Sequence, residues 1–387
     1  MRFVVLGAAA LLAPALAQAQ QIRGYYLNVG TGARESALTP DGVSDFQRGR
    51  LMIAIQRGRF AFDLAYEHGL TLVSEPELLR TSVTAEVVSS GEWFDLQGEI
   101  AASDKVSWRH RLDRVNVTYR AAAFEITAGR QTVSWATTLF LSPADPFSPF
   151  DPSDPFRSYR AGVDAVRARW FAGPFTELDA VFRPAKIGSR ETVTALGRVA
   201  TTVGNVDFGG WLGVVHDDFS AAAFGTTTLW GAALRAEGVV KRVGGASFVR
   251  FAVGVDRNVR VGPRDVYVLI EYQHDELAAG SAGEILQTVF SEPFARGELQ
   301  VISRDVGVVQ ASVQLTPLVS AAAVTIVSVT DGSVLTIPSI TYSASETTTI
   351  AAGVFSGFGA GASPLGVPAS EFGAAPDAGY ISATLFF

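Results

Sequence analysis

From Arg59 to Glu67 the chain reads RFAFDLAYE, and its side chains alternate. Phe60, Phe62, Leu64 and Tyr66 fall on one face; Arg59, Ala61, Asp63, Ala65 and Glu67 fall on the other. Successive residues of a strand point to opposite sides, so this alternation predicts a strand with one apolar and one polar face. The pattern returns along the chain. Leu51, Ile53 and Ile55 oppose Arg48, Arg50, Met52 and Gln56; Val115, Val117 and Tyr119 oppose Arg114, Asn116, Thr118 and Arg120. Leu178, Ala180 and Phe182 oppose Glu177, Asp179 and Arg183, and Val266, Val268, Ile270 and Tyr272 oppose Tyr267, Glu271 and Gln273. A weaker form runs from Val306 to Phe355. In a soluble sheet the apolar faces meet in a core and the outward face carries well-spread charge. Here several segments run to about ten residues and their polar faces mix both signs, which suits lipid outside and a wet lumen inside.

The alternation predicts strands at 22–29, 48–56, 59–67, 112–120, 122–130, 162–171, 174–183, 193–203, 206–215, 219–226, 228–240 and 246–257. It continues with 263–273, 306–315, 319–329, 333–343, 345–357 and 377–387. Bacterial barrels have an even number of strands, with both termini on the periplasmic side and the long loops outside. Eighteen strands place the long gaps 31–47, 68–111, 131–161, 274–305 and 358–376 at one outer end. Dropping 22–29 and 219–226 leaves sixteen, but moves the long gaps of the first half to the periplasmic end. The expected fold is therefore all-β: one transmembrane antiparallel β-barrel of about 18 strands, with 16 as the alternative. No linker, composition break or repeat larger than a hairpin divides residues 20–387.

The two ends and the composition agree. Arg2, the apolar run Phe3 to Leu12 and a small-x-small site at Ala15-Leu16-Ala17 or Ala17-Gln18-Ala19 predict a signal peptide over residues 1–19. The chain stops at GYISATLFF, with Ile381, Ala383, Leu385 and Phe387 on one face. A soluble protein rarely leaves so apolar a strand exposed. The absence of cysteine excludes disulfides, thiolate-bound metals, iron–sulfur clusters and a lipidated amino-terminal cysteine. Charged residues make up 18% of the chain, below the usual quarter of a soluble protein. A net charge of −7 leaves no footprint for nucleic acid. After the signal there is no apolar run long enough for a membrane helix. The expected place is the bacterial outer membrane, with the lipid bilayer as partner.

Little in the chain suggests catalysis. His68, His110, His216 and His274 stand apart, with no metal-ligand spacing. No stretch fixes a serine beside a histidine. The glycine-rich GFGAGASPLG at 357–366 does not lead from strand to helix; it reads as a mobile surface loop, not a phosphate loop. No enzyme activity, cofactor or metal is expected. The stronger lead is the charge that alternation turns inward: Arg48, Arg50, Arg59, Asp63, Glu67, Arg114, Arg120, Glu125, Arg167, Arg169, Glu177, Asp179, Arg183, Arg235, Glu237, Arg250, Asp256 and Glu271. Opposed charge sets in a lumen orient polar solutes and select among ions; they also pair across strands and satisfy a polar interior.

Between Ser142 and Asp164 lies SPADPFSPFDPSDPFRSYRAGVD, with five prolines, three of them after aspartate. Proline bars helix and inner strand alike, so the segment is a loop. A connection of about thirty residues in a compact domain is usually functional. Phe147, Phe150 and Phe156 need apolar cover, which above a barrel is the mouth or other loops. The expectation is a loop folded into or across the mouth. Aspartate–arginine contacts would hold it, from Asp145, Asp151 and Asp154 to Arg157, Arg160 and Arg167. The clustered carboxylates also allow calcium, although each Asp-Pro step is equally a turn initiator.

The run ITAGRQTVSWATTLF, the Asp/Pro/Phe loop and RAGVDAVRARW resemble a group of bacterial outer-membrane barrels. That group includes porin-like proteins and is similar to the alginate-export barrels, which have 18 strands. The likeness rests on Gly129, Arg130, Gln131, Trp135, Arg160, Gly162, Val163, Asp164 and Arg167, with Ala136 where the group commonly has glycine. The resemblance implies that the terminal Phe387 is read by the barrel-insertion machinery. The expected function is a channel for passive passage of small hydrophilic solutes or export of a polar product. A non-transporting envelope scaffold is the alternative, and the oligomeric state is open.

Overall fold

The computed structural model describes residues 20–81, 91–147, 154–157, 159–363 and 366–387. The predicted signal segment, Phe150 and Asp151 lie outside these residues. The strands are β1 (Gln20–Ala33), β2 (Gly42–Arg57), β3 (Phe60–Val73), β4 (Gln97–Ser103), β5 (Val106–Arg120), β6 (Phe124–Gln131) and β7 (Val163–Phe171). They continue as β8 (Thr176–Ile187), β9 (Arg190–Val203), β10 (Val206–Val215), β11 (Asp218–Leu229), β12 (Ala232–Val243) and β13 (Ala246–Val261). The last six are β14 (Arg264–Asp275), β15 (Asp305–Thr316), β16 (Val319–Ser328), β17 (Val334–Ser343), β18 (Thr348–Phe358) and β19 (Ala378–Phe386).

Each strand pairs antiparallel with its neighbours, and β19 pairs with β1 from Tyr25–Phe386 to Ala33–Ala378. Eighteen strands close the wall. The nineteenth, β4, was not expected; it pairs only with the outer half of β5. The short end is joined by tight turns in which Gly58, Gly204 and Gly262 take φ of 61°, 63° and 61°, a region that costs other residues dearly. The long connections all lie at the other end.

The barrel is inverted relative to a soluble protein. Phe62, Val117, Phe182, Ile270, Ile340 and Ile381 are exposed on the outer wall, while Arg50, Glu67, Asp179, Arg183 and Glu271 are buried inside. No described helix is long and apolar enough to cross a membrane. The interior is less uniformly polar than expected. Tyr25, Leu27, Val306, Val308, Ile326, Leu335, Ile337 and Phe355 point inward and form an apolar cluster with Leu141 and Phe156 of the long loop. A loop that packs against that wall removes water from it, so apolar inward residues are favoured there. This explains the weak alternation between Val306 and Phe355.

Of the glycine-rich segment at 357–366, Phe358, Gly359, Ala360 and Gly366 are exposed. Its start extends β18 to Phe358, and its continuation packs down, with Phe372 buried. Glu371 accepts N–H bonds from Ile302 and Ser303 at 2.7 and 2.9 Å.

Candidate functional site

The wall is interrupted where the long loop leaves it. β6 ends at Gln131, while its neighbour β5 runs on; β4 occupies the vacated edge of β5. Two glycines permit the departure and return. A Cβ at Gly129, whose φ is 115°, would stand 2.3 Å from the Val115 carbonyl oxygen, and one at Gly162 would stand 2.1 Å from that of Asp113. Between them Arg130 and Asp164 form a bidentate pair, Nε to Oδ1 at 2.9 Å and Nη2 to Oδ2 at 2.8 Å. Asp164 also accepts the Trp93 and Phe94 amides at 2.9 and 3.0 Å, which ties the segment before β4 onto the break.

From Gln131 the chain turns into the barrel. Val133, Trp135, Leu141, Ala144, Phe147 and Phe156 are buried there. A backbone that enters a barrel needs acceptors for its amides. Two wall carboxylates supply them. Glu237 on β12 accepts from Thr137, Thr138 and Ala144 at 2.6, 3.2 and 3.0 Å. Glu271 on β14 accepts from Leu139, Phe140 and Leu141 at 2.6, 2.8 and 3.0 Å. The need is mutual, because a buried carboxylate also requires donors. Gln300 adds an acceptor for the Ser142 amide at 2.5 Å and a donor to the Phe140 carbonyl at 2.9 Å. The indoles follow suit: Trp135 donates to Asp179 at 3.0 Å, and Trp211 to the Ala144 carbonyl at 3.1 Å. The far end reaches the opposite wall. Phe156 meets Tyr380 edge-on at 4.9 Å, Tyr159 stacks on Tyr25 at 6.0 Å, and Arg48 donates to the Phe156 carbonyl at 3.1 Å.

The expected aspartate–arginine contacts are present in part. Asp145 meets Arg160 at 2.5 Å and accepts from Ser134 at 2.9 Å. Asp154 lies 3.6 Å from Arg157 and accepts the Phe156 amide at 2.8 Å. Arg167 does not serve the loop; it binds Asp179 across β7 and β8 at 2.5 Å. Asp145 and Asp154 are thus turned to different arginines, and among the described residues no group of three or more ligating side chains could hold a metal. The main anchors are carboxylate–amide bonds. Alternation placed Glu271 in the lumen but could not show what it binds.

The inward charges concentrate beside Tyr159. Arg50 reaches Glu67 at 2.8 Å and Asp113 at 2.5 Å, and Arg111 reaches Glu67 at 2.6 Å. The guanidinium carbons of Arg50 and Arg114 lie 4.8 and 5.7 Å from the Tyr159 ring. Asp113 was missed because it is the extra residue of a bulge opposite Ala65 and Tyr66, which turns it inward out of phase. Lower down, Arg120 bonds Glu125 at 2.9 Å, Arg169 bonds the same carboxylate, Arg198 lies 3.8 Å from Glu177, and Arg235 pairs with Asp256. Asp63 takes the inward position opposite Asn116. Arg59 is a correction: it sits in the exposed turn after Gly58, 3.3 Å from the Tyr119 hydroxyl, because the strand begins only at Phe60.

In several of these pairs the carboxylate is the deeper partner. The Asp179 and Asp145 side chains are 0% exposed against 17% and 15% for Arg167 and Arg160, and Asp113 is 3% exposed against 26% for Arg114. In these three pairs the edge left to the water is guanidinium, whereas in Arg50–Glu67 and Arg198–Glu177 the arginine is the deeper partner. The histidines are not all isolated either: His68 and His110 face each other across β3 and β5, and His274 lies 2.7 Å from Asp305.

No protein-family model matches the chain, and no curated protein matches it. Solved structures do. OccK2 (OpdF) of Pseudomonas aeruginosa, solved with glucuronate, aligns over 95% of this chain and 98% of its own, with a TM-score of 0.59 and 10% identity. A BenF-like porin from Pseudomonas fluorescens aligns over 96% and 99%, at 0.57 and 10%. The outer-membrane protein OpdK of Pseudomonas aeruginosa aligns over 95% and 99%, at 0.55 and 10%. The fold is that of a bacterial outer-membrane barrel. At this identity the likeness lies in the course of the backbone, and the side chains of the lumen are this chain's own.

Proposed function

We propose that the barrel is an outer-membrane channel for small polar solutes, narrowed by the 132–162 loop and favouring anions. The observation that carries the preference is the order of burial in three lumen pairs, Arg114–Asp113, Arg160–Asp145 and Arg167–Asp179, whose carboxylates are the deeper partners. Carboxylates lie against the wall or under loop amides, so a solute meets the guanidinium edges of Arg114, Arg160 and Arg167. Arginine presents several fixed donors that match a carboxylate in pairs. Two similar structures are described with glucuronate and with vanillate, both organic anions.

Passage would be passive, down the gradient in either direction. Export of a polar product, the reading suggested by the resemblance to alginate-export barrels, would use the same lumen. The test is a planar bilayer with a salt gradient. Stepwise conductance with a reversal potential displaced toward that of the anion is the expected result. A folded, inserted protein without conductance would favour the scaffold reading.

A further inference from the structure

Arg183 on β8 is 4% exposed, and among the described residues no carboxylate lies within ion-pair distance of it. Its one hydrogen bond among those residues runs from Nη1 to the Phe147 carbonyl at 3.5 Å, and its Nε has no partner. The cations around it are each provided for. Lys241 meets Glu298 at 2.5 Å, Arg250 meets Asp275 at 2.7 Å, Arg296 meets Asp218 at 2.8 Å, and Arg160 meets Asp145 at 2.5 Å. Arg296 also lies 3.0 Å from Glu292, and of these five cations Arg183 alone has no carboxylate of the described residues within ion-pair distance. A buried guanidinium with no carboxylate in direct contact leaves its donors unsatisfied, although Asp164, Glu298, Asp145 and Glu92 act on it from further off.

Arg183 borders a small cavity between the loop residues Pro143–Phe147 and the wall, shared with His216, Lys241, Arg250, Arg296 and Glu298. Its volume of about 20 Å³ holds one occupant of roughly water size, far too little for an organic solute. His216 adds no charge of its own. Its Nδ1 is 2.8 Å from the Thr192 hydroxyl, and burial, aided by Arg183, Lys241 and Arg296, pushes its pKa down to about 2.

We propose that this cavity binds one small monovalent anion of chloride size, which neutralises Arg183 and fastens the inward-folded loop to β8 and to residues 296–298. The proposal does not depend on whether the barrel conducts.

Bromide is the probe. Crystals of the folded barrel grown with bromide in place of chloride should show one anomalous peak beside Arg183 Nε. Density without anomalous signal there, as from a water, would overturn the assignment. In detergent, the heat-modification midpoint should rise by a few degrees as gluconate is exchanged for chloride at constant ionic strength. Arg183→Gln should abolish that rise while still giving a heat-modifiable barrel. An equal chloride response in both proteins would overturn the assignment as well. If the variant does not fold, the bromide peak in the native protein decides alone.

Discussion

Glu237 on β12 accepts the backbone amide of Thr137 at 2.6 Å, from a residue one hundred positions earlier in the chain. With Glu271 it gathers six loop amides, so two carboxylates hold the loop across the lumen. Hydrogen bonds to charged groups contribute about 1.5–3 kcal/mol each. Replacing both glutamates by alanine should free the loop without opening the barrel. Single-channel recordings should then show a larger and noisier conductance, and Glu271→Gln, which keeps one acceptor oxygen, should fall between. Unaltered conductance in the double variant would show that the loop does not narrow the path.

The wall makes opposite demands at adjacent positions. Leu64 faces outward and Asp63 inward. Leu64→Arg should lower unfolding stability by about 2–4 kcal/mol if the site lies near the midplane of the bilayer. Asp63→Ala should leave folding almost intact and strengthen anion preference, because it removes an inward carboxylate near Arg114. Equal tolerance at 63 and 64 would contradict the assigned faces.

The cluster beside Tyr159 depends on its carboxylates. Glu67 serves Arg50 and Arg111 and lies 3.8 Å from Arg48. Glu67→Ala leaves these buried cations short of a counter-charge, a change that typically costs about 3–5 kcal/mol. Urea titration of the protein in lipid should show the midpoint falling accordingly. A midpoint within error of the native value would mean that water reaches the arginines.

Closure of the barrel runs through its last residue. Phe387 and Gly24 exchange two backbone hydrogen bonds, at 2.7 and 3.0 Å, and a Cβ at Gly24 would meet the Phe387 ring at 2.4 Å. Deleting Phe387 should reduce the heat-modifiable fraction in membranes while synthesis stays constant. Gly24→Val should do the same by pushing the ring aside. Normal yield from the deletion would remove Phe387 as a recognition signal for the insertion machinery.

The strand pattern was legible because alternation is local. Whether Phe62 faces lipid and Asp63 faces the lumen follows from period two and from one solvent on each side of the wall. The count of eighteen followed from the same rhythm, together with the demand that long gaps share one end. The loop at 132–162 was also recognisable, because proline and phenylalanine together exclude regular structure and demand cover.

What the loop binds was not legible. Its amides answer to Glu237, Glu271 and Gln300, the last as far as 160 positions away from Phe140. Nothing in the sequence around a glutamate says whether it will face water, an arginine or a row of amides. The bulge that turns Asp113 inward, the meeting of His68 with His110 and the absence of a carboxylate in contact with Arg183 belong to the same class. Each depends on which strands become neighbours when the sheet closes, and closure alone brings those side chains within reach.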